Sequence, residues 1–297
     1  MQFRLYPLHL TFRACQEITF APGSAANRLR GAFGAILHKL GLAPMFAPTS
    51  ETGPSGIVDQ PRPFVFRARY LDGLTISPGE TFHFNIHWFD LRRDSLDTAI
   101  RAFRELEHQA ELMDVRGADA PLELCLNPSG DPVDRITVRF ETPTELKAGG
   151  QTTDRPEFGV LASRIRDRIS TLRALYDNGP LTIDFREFGE RAEHIRMTRC
   201  DIHHVESSRR SARTGQIHSL GGFVGQAEYQ GDLTEFVPYL SAAQWTGVGR
   251  QIGMNHQHAK QAASTFMPYK VFQKLPQDTI FRAHRPSPLK PPANARA

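Results

Sequence analysis

Histidine can take up or release a proton near neutrality, because its ordinary pKa is about 6.5. This chain has 12 of them, and their spacing sorts them. His83 and His87 in "HFNIHW" lie four apart in a stretch that alternates like a strand. They share a face but sit about 13 Å apart, too far to share a metal directly. Sheet-face or core positions suit them. His203 and His204 are adjacent and face opposite sides of a strand. His38 lies in "GSAANRLRGAFGAILHKL", which has helical spacing. No H-x-x-x-H helix, HExxH or carboxylate pair is present, so no metal or other cofactor is expected.

A second candidate is "GVGRQIGMNHQ", with Gly247, Gly249 and Gly253 spaced G-x-G-x-x-x-G. A dinucleotide fingerprint reads G-x-G-x-x-G and opens a helix after a strand. Here the preceding "DLTEFVPYLSAAQW" reads as a helix, with Asp232 or Thr234 as its cap, so the glycines end a helix. A P-loop would require G-K-[ST], which is missing. A helix C-cap and turn is the plain alternative.

Composition bounds the rest. The chain has 297 residues, 40% apolar and 23% charged, with a net charge of +4 and an isoelectric point near 9.1. Its 36 basic residues are 30 arginines and 6 lysines by count. Arginine suits bidentate phosphate contacts and base stacking. The segment 191–213 carries six arginines against three acids, and 155–173 carries five against two. Such patches are the footprint of a polyanion partner or a solvated face. Arg164, Arg166 and Arg168 cannot all share one helical face. No run approaches the ~20 apolar residues that span a bilayer, and "MQFRLYPLHLTFRA" lacks the apolar core of a signal peptide. Cys15, Cys125 and Cys200 are scattered and odd in number, against a disulfide framework. The expected location is cytoplasmic, with no membrane partner.

The elements that position these residues recur in two halves. The first reads strand ("FRLYPLHLTF"), helix, strand ("PFVFRARY"), strand ("TFHFNIHWFD"), helix ("DSLDTAIRAFRELEHQAEL"), strand ("LELCL"). In the first helix Leu29, Phe33, Ile36 and Leu40 form a stripe, with Ser24 or Asn27 near its start. At about 100° per residue, His38 falls on the opposite face with Asn27, Gly31 and Gly34. The second half repeats the order: "RITVRFETP", a helix "FGVLASRIRDRISTLRALY", strands near 192–206 and 216–229 flanking "SSRRSARTGQ", a helix over 233–246, and "STFMPYKVF" as a last strand. Two β-α-β-β-α-β units predict an α+β protein of two tandem ferredoxin-like, RRM-like domains. They span 1–128 and 134–283, with a proline-rich, disordered tail over 284–297.

Two stretches together resemble a known family. "GSAANRLRGAFGAILHKL" resembles the first helix of CRISPR-associated RAMP proteins, roughly G-s-x-x-R-G-a-f-G-x-x-L. "GGFVGQAEYQGDLTEFVPYLSAAQWTGVGRQ" is similar to their C-terminal strand, helix and G-V-G-[RK] turn. The combination resembles the Cas-six family, endoribonucleases that cut precursor CRISPR RNA within its repeats. The family's further glycines are replaced here by "QIGMNHQH". The resemblance implies that CRISPR repeat RNA, or crRNA, is the partner, with other CRISPR effector subunits as further candidates. It implies metal-independent attack of a ribose 2′-OH on the adjacent phosphate, and it implies His38 as general base or acid. Lys39 is the cation beside it. Arg28, Arg30, Arg209, Arg210, Arg213, Gly247, Gly249, Arg250 and His256 are the expected RNA contacts. His256 or His258 serves either RNA or plain surface. A non-catalytic RAMP subunit and a metal-dependent nuclease are the alternatives.

Overall fold

The computed structural model describes residues 1–46, 60–106, 109–128, 130–205, 208–210, 217–219, 221–248 and 279–284. The first unit runs β1 (Gln2–Ala14), α1 (Ala25–Lys39), β2 (Phe64–Arg67), β3 (Thr81–Trp88), α2 (Arg93–Arg104), β4 (Ala110–Arg116) and β5 (Leu122–Cys125). Its sheet has the antiparallel order β2-β3-β1-β4, with β5 also pairing to β1. Strand β1 serves two partners on one edge: His9–Ala14 pairs with β4 and Gln2–Leu5 with β5. The step between β4 and β5 falls at Gly117, where φ is +83° and a Cβ would lie 2.4 Å from the Pro7 carbonyl oxygen. Only glycine permits that approach.

The second unit repeats the plan with β6 (Arg135–Thr144), α3 (Phe158–Tyr176), α4 (Phe185–Glu193), β7 (Arg196–Val205), β8 (Gly222–Gln230), α5 (Val237–Thr246) and β9 (Thr279–His284). Its sheet order is β7-β8-β6-β9, again antiparallel. In each unit the first strand is central, flanked by the third and fourth, as a ferredoxin-like fold requires. The chain is thus an α+β pair of such units, and no helix among the described residues is long and apolar enough to cross a membrane.

Some elements differ from the expected ones, and one expectation falls outside the described residues. The helix expected over 94–112 ends at Arg104, and Ala110–Arg116 is a strand. Pairing with β1 outweighs the helical composition of that stretch. Helix α4 was not expected; Asp184 caps it, its side chain accepting from the Glu187 N–H at 2.9 Å. The stripe on α1 is Leu29, Phe33 and Leu37, with Ile36 half-buried, while Leu40 is 40% exposed. The segment "STFMPYKVF" lies outside the described residues, and the strand that completes the second sheet is Thr279–His284.

Strands β1 and β3 each bury an alternating set of side chains over the first-unit core. Leu8, Leu10 and Phe12 of β1 and Phe82, Phe84 and Ile86 of β3 join Leu29, Phe33 and Phe103 from α1 and α2 in one core. Phe33 and Phe103 stack at 4.2 Å between ring centroids. The other core is shared between the units. Phe3, Leu5 and Val65 from the first sheet pack with Ile165 and Leu172 of α3 and Leu240 and Trp245 of α5.

Candidate nucleic-acid interface

Helix α1 delivers His38 to the surface. Ala25, Ala26, Leu29, Phe33 and Leu37 are buried, whereas Gly31, Ala35, His38 and Lys39 are exposed. The helix ends by its own backbone. The Gly41 N–H donates to the His38 carbonyl at 3.1 Å and the Leu42 N–H to the Leu37 carbonyl at 2.7 Å, with Gly41 at φ +73°. This is the Schellman pattern, which satisfies the last carbonyls without side chains. His38 and Lys39 in the last turn also match the negative end of the helix dipole. Among the described residues the His38 ring has no hydrogen-bond or ionic partner. The turn after it borders a cleft of about 620 Å³, lined in part by Leu42, Pro44, Arg92, Arg93, Asp94 and Tyr176 from both units. Sequence reasoning did not single out Arg92 and Arg93; only folding brings the start of α2 beside the end of α1.

The other arginines near the start of α1 behave differently. Arg28 donates to the Thr19 carbonyl and lies over the Phe20 ring at 5.7 Å, fastening the helix to the strand segment before it. Arg30 is half-buried and has a partner. The helix start itself is held by Asp72, whose carboxylate accepts the Ala25 N–H at 2.8 Å.

The glycine stretch begins where α5 ends. Gly247 has φ +70°, and its N–H closes the helix on the Ala243 carbonyl at 2.8 Å. This end is buried, and side chains from both units satisfy its carbonyls. Arg67 donates to the Gln244 carbonyl at 2.8 Å, His87 Nδ1 to the Trp245 carbonyl at 2.7 Å, and Arg168 Nε to the Thr246 carbonyl at 2.9 Å. The carbonyl acceptor fixes the His87 tautomer with hydrogen on Nδ1. Burial, reinforced by Arg67, pushes His87 down to about 3, so it is neutral. Burial also lowers Arg168 to about 10, with Arg67 adding repulsion; the residue is half-buried but its charged end is enclosed. These three side chains hold the exit of α5 against the first sheet. Gly249, Arg250 and His256 lie outside the described residues.

Three arginines of the basic segment 155–173 bond backbone carbonyls of the fold. Arg164 donates to the Lys147 carbonyl, Arg166 to the Phe185 carbonyl with its guanidinium 4.5 Å from the Phe185 ring, and Arg168 to Thr246. The three do diverge, and the structure uses each for packing. Arg209 and Arg210 lie on a short strand, Ser208–Arg210, paired with Ile217–Ser219; Arg213 lies outside the described residues.

The histidines divide as their strands dictate. On β7, His203 shares the open face with Arg199 and Asp201, while His204 points toward the core side, 6.3 Å from the Phe223 ring. On β3, His87 is buried and His83 is exposed on the same face. His83 lies between two rings: His9 at 4.9 Å and Tyr70 at 5.0 Å. Sequence reasoning missed this row. It depends on the β1–β3 register, which sets His9 opposite Asn85 and Thr11 opposite His83.

Residues 138–255 match the family model described as CRISPR-associated endoribonuclease Cas6. No curated protein sequence matches the chain. Among solved structures, Cas6 from Thermus thermophilus is similar over 86% of this chain and 97% of its own, at 13% identity and a TM-score of 0.52. A Cas6 product complex is similar over 85% and 97%, at 16% identity and a TM-score of 0.52. A chain of a partial Cas6-RT-Cas1–Cas2 complex is similar over 90% of this chain but 48% of its own, at 14% identity and a TM-score of 0.51. At these identities the structural likeness is one of fold. The family match lies within the second unit, and the likeness of fold to Cas6 structures extends over most of the chain.

Proposed function

We propose that this protein is an endoribonuclease that binds CRISPR repeat RNA and cuts precursor crRNA by metal-independent transesterification. One observation carries the catalytic part: His38 stands exposed in the last turn of α1, on the face turned away from the core. In the reaction a ribose 2′-OH attacks the adjacent phosphorus. The 2′-O–P bond forms as the P–O5′ bond breaks, leaving a 2′,3′-cyclic phosphate and a 5′-OH. One group accepts the 2′ proton and another supplies a proton to the departing 5′ oxygen, work suited to an imidazole. His38 serves one of these roles. Lys39 supplies positive charge for the phosphorane, and Arg92 and Arg93, paired with Asp90 and Asp97, border the cleft beyond it. Arg30 and the turn at Gly247 contact the RNA backbone, and Arg28 supports them by holding the start of α1. Gly249, Arg250, His256, Arg209, Arg210 and Arg213 complete the proposed RNA contacts. The protein acts in the cytoplasm, and other Cas proteins are proposed partners, as in the Cas6-RT-Cas1–Cas2 complex.

The test is cleavage of labelled repeat RNA in EDTA, with a copy carrying 2′-deoxy at the cut site. A single cut that survives chelation and stops with the deoxy substrate is expected. His38→Ala should lose at least about 100-fold in rate, the low end of general acid–base help, with unchanged melting. Cutting near the wild-type rate by His38→Ala removes His38 from the chemistry. Tight binding without cleavage by wild type replaces the enzyme with a non-catalytic RAMP subunit.

A further inference from the structure

We propose that the open end of the first sheet is a stacking platform for unpaired nucleobases, built on Tyr70, His83 and His9. The inference extends the RNA reading above to a second contact area, away from α1. Along β1 and β3 one face carries His9, Thr11, Arg13, His83 and Asn85, while the opposite side chains are core. On that face three rings stand in a row, with His83 between His9 and Tyr70 and interplanar angles of 37° and 32°. The row is held in place. His9 Nδ1 bonds the Asn85 Oδ1 at 2.7 Å, and the Tyr70 hydroxyl donates to the His83 carbonyl at 2.8 Å. Two of its rings are open to solvent: Tyr70 is 41% exposed and His83 is exposed, while His9 is half-buried.

A row of fixed rings, two of them exposed, is an unusual use of a strand face, since it buries little apolar area in return for the ordering of three side chains. It is what a single-stranded nucleic acid needs, because every base has a π face and stacks without regard to sequence. The rim of the row is polar, which favours that occupant over an apolar protein surface. Arg13 and Arg116 border the row, the latter directly across from His9. Their carboxylate neighbours, Glu111 at 3.7 Å and Asp114 at 3.1 Å, are about half exposed. Exposed pairs of this kind are weak, so either guanidinium can turn to a phosphate. The face also leads toward the glycine stretch. The next residue of β3 on this side after Asn85 is His87, which carries the Trp245 carbonyl just before Gly247. His87 itself is covered by α5, so the open part of the face ends at Asn85.

Three RNAs test this by fluorescence anisotropy: the repeat hairpin, the same hairpin with an unpaired flank, and a ten-nucleotide unpaired strand. The unpaired strand carries 2-aminopurine, whose emission falls when it stacks. Wild type should bind the flanked hairpin more tightly than the bare one and quench the strand. His83→Ala and Tyr70→Ala should each weaken strand binding at least about fivefold, the low end for one stacked base, and leave bare-hairpin affinity unchanged. His83→Phe should retain binding and quenching, because it keeps the π face. If wild type ignores the hairpin but binds the strand through Tyr70 and His83, the repeat-RNA reading falls and the platform stands. If wild type binds the hairpin while strand affinity is unmoved by both alanine variants, the platform is overturned.

Discussion

One face of the first sheet has two ends with opposite fates. At the end beside the second unit, Phe3, Leu5, Val65, Arg67 and His87 are buried under α3 and α5. At the other end, Arg13 and His83 are exposed and His9, Thr11 and Asn85 half-buried, though they continue the same alternation on the same strands. The residue types follow the difference. The covered end mixes apolar packing with two polar side chains that exist to satisfy the carbonyls of α5. The open end has rings and polar groups that bond one another, as His9 does Asn85 and Tyr70 the His83 carbonyl. A polar residue under cover therefore reports on architecture, and an ordered ring left uncovered reports on a ligand.

That contrast breaks most readily at Arg67. Arg67→Ala strips the donor from the buried Gln244 carbonyl and leaves a void at the seam. An orphaned buried acceptor costs about 1–3 kcal/mol, and lost packing adds to it. The expected loss is about 2–4 kcal/mol, read as a lower midpoint in urea. A midpoint equal to wild type would mean that the second unit does not depend on this contact.

Acid supplies a graded version of the same test. His87 titrates near 3 in the folded protein and at about 6.5 when unfolded. Its folded value is depressed, so between those pH values the unfolded chain binds the extra proton, and folding stability falls as pH falls. The slope from this residue reaches about 1.4 kcal/mol per pH unit below about pH 6. His87→Gln should be less stable at pH 7 and show a flatter decline from pH 6 to pH 4. An unchanged slope would show that His87 is not the group responsible.

The smallest effect belongs to the open end. Arg13→Ala should shift unfolding free energy by no more than about 0.5 kcal/mol, as surface positions do, because its side chain is about half exposed and its pairing with Glu111 is weak. A loss comparable to that of Arg67→Ala would mean that the open end is structural, and the comparison between the two ends would collapse.

Much of this was legible in the residues. The alternation of β1 and β3 and the repeat of Phe158, Leu161, Ile165, Ile169 and Leu172 on α3 are properties of sequence neighbours, and they placed those elements well. The exposed side of α1 was equally legible, since a helical wheel needs only one segment. What was missed involves partners far apart in sequence. "AELMDVR" is a strand because the edge of β1 stood open to it. The capping pair Asp184 and Glu187 offered a local signal for α4 that was passed over. The row of rings and the three side chains on the end of α5 had no local signal. They arise only when register and domain packing bring residues such as Arg67 and Gln244, 177 positions apart, into contact.

Strand β1 carries a consequence for how the chain is made. Its Leu8, Leu10 and Phe12 belong to one core, and its Phe3 and Leu5 to the other. It is synthesised before the other elements described here, yet two of its seven buried residues, Phe3 and Leu5, wait for the second unit to cover them. The fourth strand of that unit, Thr279–His284, comes later still and pairs back to β6. Such long closures make folding slow. The nascent first unit must therefore spend much of translation with Phe3 and Leu5 exposed, a natural docking point for a chaperone and a reason for the two units to mature as one.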